Sequence, residues 1–209
     1  MAELRVEEYT VGMVMTNCYF AVNTKTSEIV IIDPGDEAAR LMQKIKESGY
    51  VPKAVLLTHG HFDHAKDART IADHYGIQIY AQQAEQETLE NPAVNLSSMG
   101  GVSESYQADC YLRDGEEMTI AGFFIQALLT PGHTAGGCCY YLKEENTIFT
   151  GDTLFCESIG RTDFPGGSYA TLVRSIKESL FVLPGQTKVY AGHNDATTIG
   201  WEKEHNPFI

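Results

Sequence analysis

Among the five cysteines of this 209-residue chain there is no Cys-x-x-Cys pair, and the odd count argues against a disulfide framework. Cys18, Cys110, Cys138, Cys139 and Cys156 read instead as buried, inert thiols, and a reducing cytoplasm is the expected compartment. Basic residues are scarce. Fifteen Lys and Arg stand against 28 Asp and Glu, for a net charge of −13. Such a surface repels phosphate backbones, so no nucleic-acid partner is expected. No apolar run is long enough to span a bilayer, so no membrane partner is expected either. The opening Ala2-Glu3-Leu4-Arg5 has no basic segment leading into an apolar stretch, so a secretory signal is not expected. Fixed-period repeats and low-complexity linkers are also missing. With 43% hydrophobic and 21% charged residues the chain is of ordinary globular composition, which excludes a disordered, collagen-like or coiled-coil reading. The length suits one domain over residues 1–209 with a sizeable core.

What is present is an alternation of strand and helix signals. Leu4–Val11, Cys18–Asn23 and Glu28–Ile32 are rich in Val, Ile, Tyr and Phe and read as strands. The third ends at the turn signal Asp33-Pro34-Gly35. Glu37–Ser48 reads as an amphipathic helix, with Leu41, Met42 and Ile45 on one face and Gly49 as the stop. The apolar stretch Ala54–Thr58 has the pattern of a strand buried on both faces. A helix over about Ala65–Tyr75 and a strand over Ile77–Ala81 follow, then a helical stretch over Ala84–Leu89. Asn91–Ser105, with Pro92 and the Gly100-Gly101 pair, reads as a loop able to cover a site. Further strands are expected over Phe123–Leu129, Cys138–Leu142, Thr147–Thr150 and Lys188–Ala191, with a helix over about Tyr169–Leu180. Two sets of strands with helices between them predict a layered α/β fold.

Histidine and aspartate recur where the strands end. His59, His61, Asp63 and His64 follow the strand at 54–58, and His133, Asp152 and His193 each follow a later strand. Functional loops in such units lie at the carboxyl ends of strands. Neutral imidazole and ionised carboxylate are standard ligands for Zn²⁺ and similar ions. Seven ligands exceed what one tetrahedral ion takes, and suit two ions sharing a carboxylate. His74 and His205 fall outside this set and read as structural residues.

The run Thr58-His59-Gly60-His61-Phe62-Asp63-His64, with His133, Asp152 and His193, resembles the metallo-β-lactamase superfamily over essentially the whole chain. The resemblance implies an α/β fold, a four-layer αββα sandwich with metals at one edge of its two sheets. It implies that His59, His61 and His133 hold one ion, that Asp63, His64 and His193 hold a second, and that Asp152 bridges them. The cofactors are then two divalent metal ions, zinc foremost, with iron or manganese as alternatives. Asp33 is expected to support the site by hydrogen bonding.

Within the superfamily, Thr130–Thr134, Phe149–Phe155 and Gly160–Phe164 look like the glyoxalase II group, and Thr197–Phe208 is similar to its short bacterial members. Sixteen residues follow His193, so the helical domain that helps glyoxalase II bind glutathione is not expected. The group's usual Gly-His-Gly-Pro reads Gly192-His193-Asn194-Asp195 here. Both departures bear on glutathione recognition rather than on metal binding.

The resemblance implies a hydrolase that cleaves a small-molecule thioester such as S-lactoylglutathione by a hydroxide generated at the metals. Asp152 and Asp63 are the expected catalytic carboxylates, Asp63 steering the attacking water. Arg161 and Tyr140 are candidates for binding substrate, Arg161 by pairing a carboxylate. The alternative reading of Arg161 is a salt bridge with Asp163, and that of Tyr140 a packed strand residue. One rival activity is a mononuclear Fe(II) persulfide dioxygenase using His59, His133 and Asp152. Another is a lactonase, and a third reading is a metal-binding module without turnover. No feature of the sequence sets the oligomeric state.

Overall fold

The computed structural model describes residues 2–100 and 102–209. Gly101, half of the Gly100-Gly101 pair, lies outside them.

The first half of the chain builds β1 (Leu4–Val11), β2 (Thr16–Asn23), β3 (Glu28–Ile32), α1 (Ala38–Ser48) and β4 (Val51–Leu56). It continues through α2 (Phe62–Ala65), α3 (Ala68–Tyr75), β5 (Gln78–Gln82), α4 (Gln86–Glu90) and β6 (Cys110–Leu112). These six strands form one sheet in the order β1-β2-β3-β4-β5-β6. Its first two pairings are antiparallel and its last three parallel.

The second half supplies β7 (Glu117–Ile120), β8 (Phe123–Leu129), β9 (Cys138–Leu142) and β10 (Thr147–Gly151). A small hairpin of β11 (Leu154–Phe155) and β12 (Ser158–Ile159) follows. The chain then forms α5 (Tyr169–Ser175), β13 (Lys188–Ala191), β14 (Thr197–Thr198) and α6 (Ile199–His205). The second six-stranded sheet has the order β14-β13-β10-β9-β8-β7.

Alternation along the central strands dictates the layering. A strand sends successive side chains to opposite faces. In β3, Val30 and Ile32 pack between the sheets, while Ile29 and Ile31 pack outward with Leu41 and Ile45 of α1 and Ile71 of α3. In β9, Cys138, Tyr140 and Leu142 face the first sheet, and Cys139 and Tyr141 pack outward with Leu172 of α5 and Ile199 of α6. Helix, sheet, sheet, helix is the four-layer αββα sandwich that the motif resemblance implied.

Two local expectations need correction, and one helix had no counterpart in the sequence reading. The helix expected over 65–75 is divided into α2 and α3, because Asp67 is drawn into the preceding turn. Its amide donates to the Pro34 carbonyl (3.2 Å) and its carboxylate accepts from Ala38 N–H (2.6 Å). Helix α6 had no periodic signal, since Gly200 is a weak helix former and the helix buries only Ile199 and Glu202. The Thr198 hydroxyl caps its start. Cys18, Cys138 and Cys139 are buried, but Cys110 and Cys156 are half-buried; all five are free thiols. No helix among the described residues is long and apolar enough to cross a membrane.

Candidate metal centre

The layering brings the ends of β4, β8, β10 and β13 to one edge of the two sheets, and all seven residues of the His/Asp set meet there. Ligand atoms of His59, His61 and His133 form one group, those of His59, His64 and Asp152 a second, and those of Asp63, His64 and His193 a third. Within each group the atoms lie within 4.8 Å of one another. Asp152 reaches in both directions. Its Oδ2 lies 3.4 Å from His133 Nε2 and 3.6 Å from His193 Nε2, and its Oδ1 lies 3.4 Å from His64 Nε2. His64 Nε2 and His193 Nε2 each lie 3.5 Å from Asp63 Oδ2. Donors held about 2.1 Å from one tetrahedral ion sit about 3.4 Å apart. The observed spacings match that figure and are long for direct hydrogen bonds.

Backbone and side-chain partners set the proton on most of the rings. A carbonyl oxygen only accepts, so His133 Nδ1–H donates to Arg161 O (2.7 Å) and His193 Nδ1–H to Met15 O (3.3 Å). The hydroxyl of Thr58 donates to Asp33 Oδ2 (2.6 Å), which leaves its oxygen to accept from His59 Nδ1–H (3.1 Å). His64 Nδ1–H donates to the same Asp33 carboxylate (2.9 Å). In these four rings the Nε2 lone pair is left for the centre. His61 presents Nδ1 instead, 3.0 Å from His133 Nε2.

The buried ligand atoms supply a test of whether a metal fits. His59 Nε2, His64 Nε2 and Asp152 Oδ1 are sealed from solvent and have no hydrogen-bond partner, and His61 Nε2 is likewise unpartnered. Leaving buried polar atoms unpaired is costly, and a cation would satisfy the first three. The donor set of imidazoles and carboxylates suits a divalent metal ion.

The electrostatics agree. Burial, then the neighbouring His64, His61 and His133, push His59 well below its ordinary value, and burial with His133 takes His61 down to about 3. Both are neutral, ligand-competent rings at pH 7. Burial also opposes charge on His64, but Asp63, Asp152 and Asp33 outweigh it and raise the ring to about 10. His193 is raised in the same sense, with Asp63 and Asp152 overcoming its burial. Burial would raise Asp63, yet His64, His193 and the Thr16 hydroxyl hold it below the usual carboxylate range. Stripped of metal, the protein therefore carries a proton on His64 at neutral pH, and His193 holds its proton more tightly than a free imidazole. Metal binding is expected to release about one proton per chain at pH 7.5, from His64, and to weaken as pH falls. Titration calorimetry in buffers of different ionisation enthalpy measures this, and identical heats in all buffers would contradict it.

Other placements differ from the sequence reading. Of the two readings of Tyr140, the packed strand residue is the one observed, and the substrate-binding reading is corrected. Tyr140 lies fully buried between the sheets, and its hydroxyl donates to Leu57 O (2.9 Å), so it is not available to substrate. Arg161 lines the central cavity, but its guanidinium pairs with both carboxylate oxygens of Asp163 (2.8 and 2.7 Å) and lies over the Phe164 ring. Its backbone carbonyl is what orients His133. His74 and His205 lie on the surface, away from the cluster, His205 stacked on Trp201. Asn194, where the motif resemblance implied glycine, takes the left-handed backbone (φ 64°) that Asn tolerates better than most residues.

Four supporting residues were not singled out in the sequence. Asp33, already expected, is joined by Thr58, whose amide and hydroxyl both bind that carboxylate. The Thr16 hydroxyl donates to Asp63 Oδ2 (2.8 Å). Asn17 donates to the Ala191 and Asn194 carbonyls, fixing the loop that carries His193. Glu85, 1% exposed, accepts from Gly60 N–H (2.9 Å), the Thr134 hydroxyl (3.0 Å) and Gly136 N–H (2.7 Å). It thereby ties the loop of His59 and His61 to the loop of His133. Gly192 packs directly on two side chains of the set: a Cβ there would lie 2.3 Å from Asp152 Oδ1 and 2.7 Å from His64 Cε1. Gly192→Ala is expected to fold yet to lose about half of the bound metal, read by elemental analysis of the purified variant.

A family model described as the metallo-beta-lactamase superfamily matches residues 11–193. The chain is 40% identical over 182 residues to the hydroxyacylglutathione hydrolase GloC of Haemophilus influenzae, covering 86% of each chain. Among solved structures it is similar to BLEG-1 B3 metallo-beta-lactamase, with a TM-score of 0.93, 39% identity, and coverage of 98% of this chain and 99% of that one. It is also similar to TTHA1623 in a di-iron-bound form, with a TM-score of 0.86, 32% identity, and coverage of 97% and 100%.

Proposed function

Because the chain belongs to the metallo-beta-lactamase superfamily, we propose that it is a binuclear metal-dependent hydrolase acting on a small-molecule thioester in the cytoplasm. The observation that carries the binuclear reading is the complete second group, Asp63, His64 and His193, joined through Asp152 to the first. A mononuclear oxygenase would need only His59, His133 and Asp152. The glyoxalase II-like relative, itself named a hydroxyacylglutathione hydrolase, supports the thioester class.

His59, His61 and His133 would hold one ion and Asp63, His64 and His193 the other, with Asp152 shared. When bound, such ions lower the pKa of water and polarise a carbonyl oxygen. The protein's own groups do the rest. Asp33 holds His64 and, through Thr58, His59, so that the imidazole lone pairs converge. Thr16 and His193 fix one oxygen of Asp63 and leave the other free to orient the attacking water. Phe62, Phe155 and Phe164 line the cavity of about 670 Å³ and limit competing water. No serine or cysteine nucleophile is required; Cys138 and Cys139 are buried with their thiols pushed up by burial.

Metal analysis of protein purified without chelator, followed by assay, tests the proposal. About two ions per chain, with zinc prominent, and turnover of S-lactoylglutathione or other thioesters are expected. One iron per chain with oxygen uptake on a persulfide would overturn it. The similarity to a B3 metallo-beta-lactamase supports a second reading, in which a strained cyclic amide is cleaved by the same centre. A chromogenic cephalosporin belongs in the assay for that reason.

A further inference from the structure

A second cavity adjoins the first. It measures about 200 Å³ and shares Val14, Phe62 and Asp63 with the central cavity as common walls. Its remaining lining is mainly apolar, from Val11, Met13, Val102 and Tyr106. Drug-sized ligands occupy about 300–1,000 Å³, so this space suits a side group rather than a whole substrate.

We propose that the side cavity is the subsite for an aliphatic acyl chain, which makes the preferred substrate a thioester of an uncharged, apolar acid. This inference rests on the thioester-hydrolase reading and names its substrate class.

Charge argues for it. The charged residues lining the side cavity are Asp36, Asp63, Glu104 and Lys66, and Lys66 is paired with Asp36 (3.1 Å). In the central cavity Arg161 is paired with Asp163. Among the described residues, then, neither Lys nor Arg lining the two cavities is without a carboxylate partner. An anionic group entering here would meet carboxylates and find no unpaired Lys or Arg. Apolar surface argues for it as well. Met13 is 99% exposed and Val102 57%, and both stand at the rim. Flexible methionines adapt to apolar ligands of varied shape. Biological thiol carriers are polar and commonly charged, so the apolar part of their thioesters is the acyl group. Continuity with the metal centre then places the carbonyl beside Asp63 and Asp152 and the chain beyond Phe62.

The test uses the metal-loaded protein and acyl thioesters of N-acetylcysteamine from acetyl to hexanoyl. Burying each methylene is expected to raise kcat/KM by about threefold to fourfold, on the order of 100-fold across the series. Val102→Asp is expected to cut the hexanoyl-to-acetyl ratio by about tenfold. A flat series, or a series in which only the thiol side shows length dependence, would overturn the assignment. If the loaded protein cleaves no thioester at any length, the hydrolase reading fails. The cavity is then judged by calorimetry with uncleavable S-alkyl-N-acetylcysteamines. There S-hexyl is expected to bind on the order of several hundred-fold tighter than S-methyl, with a negative heat-capacity change. Equal affinities would overturn the subsite. So would a dimer in sedimentation that Val102→Asp dissociates, because the apolar rim would then belong to a second copy.

Discussion

Replacing Asp152 by alanine is expected to lower kcat/KM for any substrate of this protein by at least about 10³-fold, with the fold intact. Asp152 is a side chain whose oxygens approach candidate ligand atoms on both sides of the cluster, His133 on one and His64 and His193 on the other. Charge stabilisation by a catalytic metal contributes several kcal/mol, and each 1.36 kcal/mol is tenfold in rate. Removing Asp152 also leaves His64 with less negative charge around it, so its proton is held less tightly. Asp152→Asn is expected to fall between the two, since its amide keeps one acceptor but loses the charge. Circular dichroism and metal content separate the effects. A variant that keeps two ions and a near-native rate would remove Asp152 from the mechanism.

Glu85→Ala should be the most damaging substitution outside the ligand set. It would leave Gly60 N–H, Gly136 N–H and the Thr134 hydroxyl buried without their acceptor. Orphaned buried donors cost about 1–3 kcal/mol each, so a loss of about 3–5 kcal/mol is reasonable after relaxation. For a chain of this size that lowers Tm by about 10 °C. Because Glu85 tethers both ligand loops, metal affinity should also fall, by about 10–100-fold as for other groups that orient ligands. The absorption of the Co²⁺-substituted protein gives a readout that simple destabilisation would not move. An unchanged cobalt spectrum would confine Glu85 to a structural role.

The same residue carries a pH signature. Burial pushes its carboxyl up to about 7, against the hydrogen bonds from Gly60, Thr134 and Gly136. The folded chain therefore holds this proton more tightly than the unfolded chain, whose carboxyl titrates near 4.5. Its favourable contribution is present below that lower value and is lost as pH rises through 7. Stability of the metal-stripped protein minus that of Glu85→Gln should decline across this window in chemical denaturation. A flat difference would show that Glu85 is ionised throughout.

Much of this was legible in the sequence because it is written locally. The bounds of β1, β3, β8, β9 and β13 follow from short apolar runs closed by turn residues. The seven ligand candidates were visible because each follows such a run. What escaped is non-local. Glu85 meets partners 49 and 51 residues away, Thr16 reaches Asp63 across 47, and Asn17 reaches Asn194 across 177. No window of sequence distinguishes these from ordinary surface polar residues. The substrate-binding reading of Tyr140 fails, and its packed reading holds, for a related reason. Its strand lies in the middle of its sheet and is covered on both faces, so an aromatic near a functional loop is sealed away from it.

The division of the chain between its two sheets has a mechanical consequence. Residues up to Leu112 build one sheet and contribute His59, His61, Asp63 and His64; residues from Glu117 build the other and contribute His133, Asp152 and His193. On the proposed assignment neither half would own a full coordination sphere, and the seam between them runs through the cluster itself. A bound ion would then be a rivet as well as a reagent. Ions that bind only the assembled sandwich add RT ln(1 + [M]/Kd) to its cohesion. Chelation should loosen the two slabs from each other before it loosens either slab within itself, and the working edge of the molecule would be the first place to part.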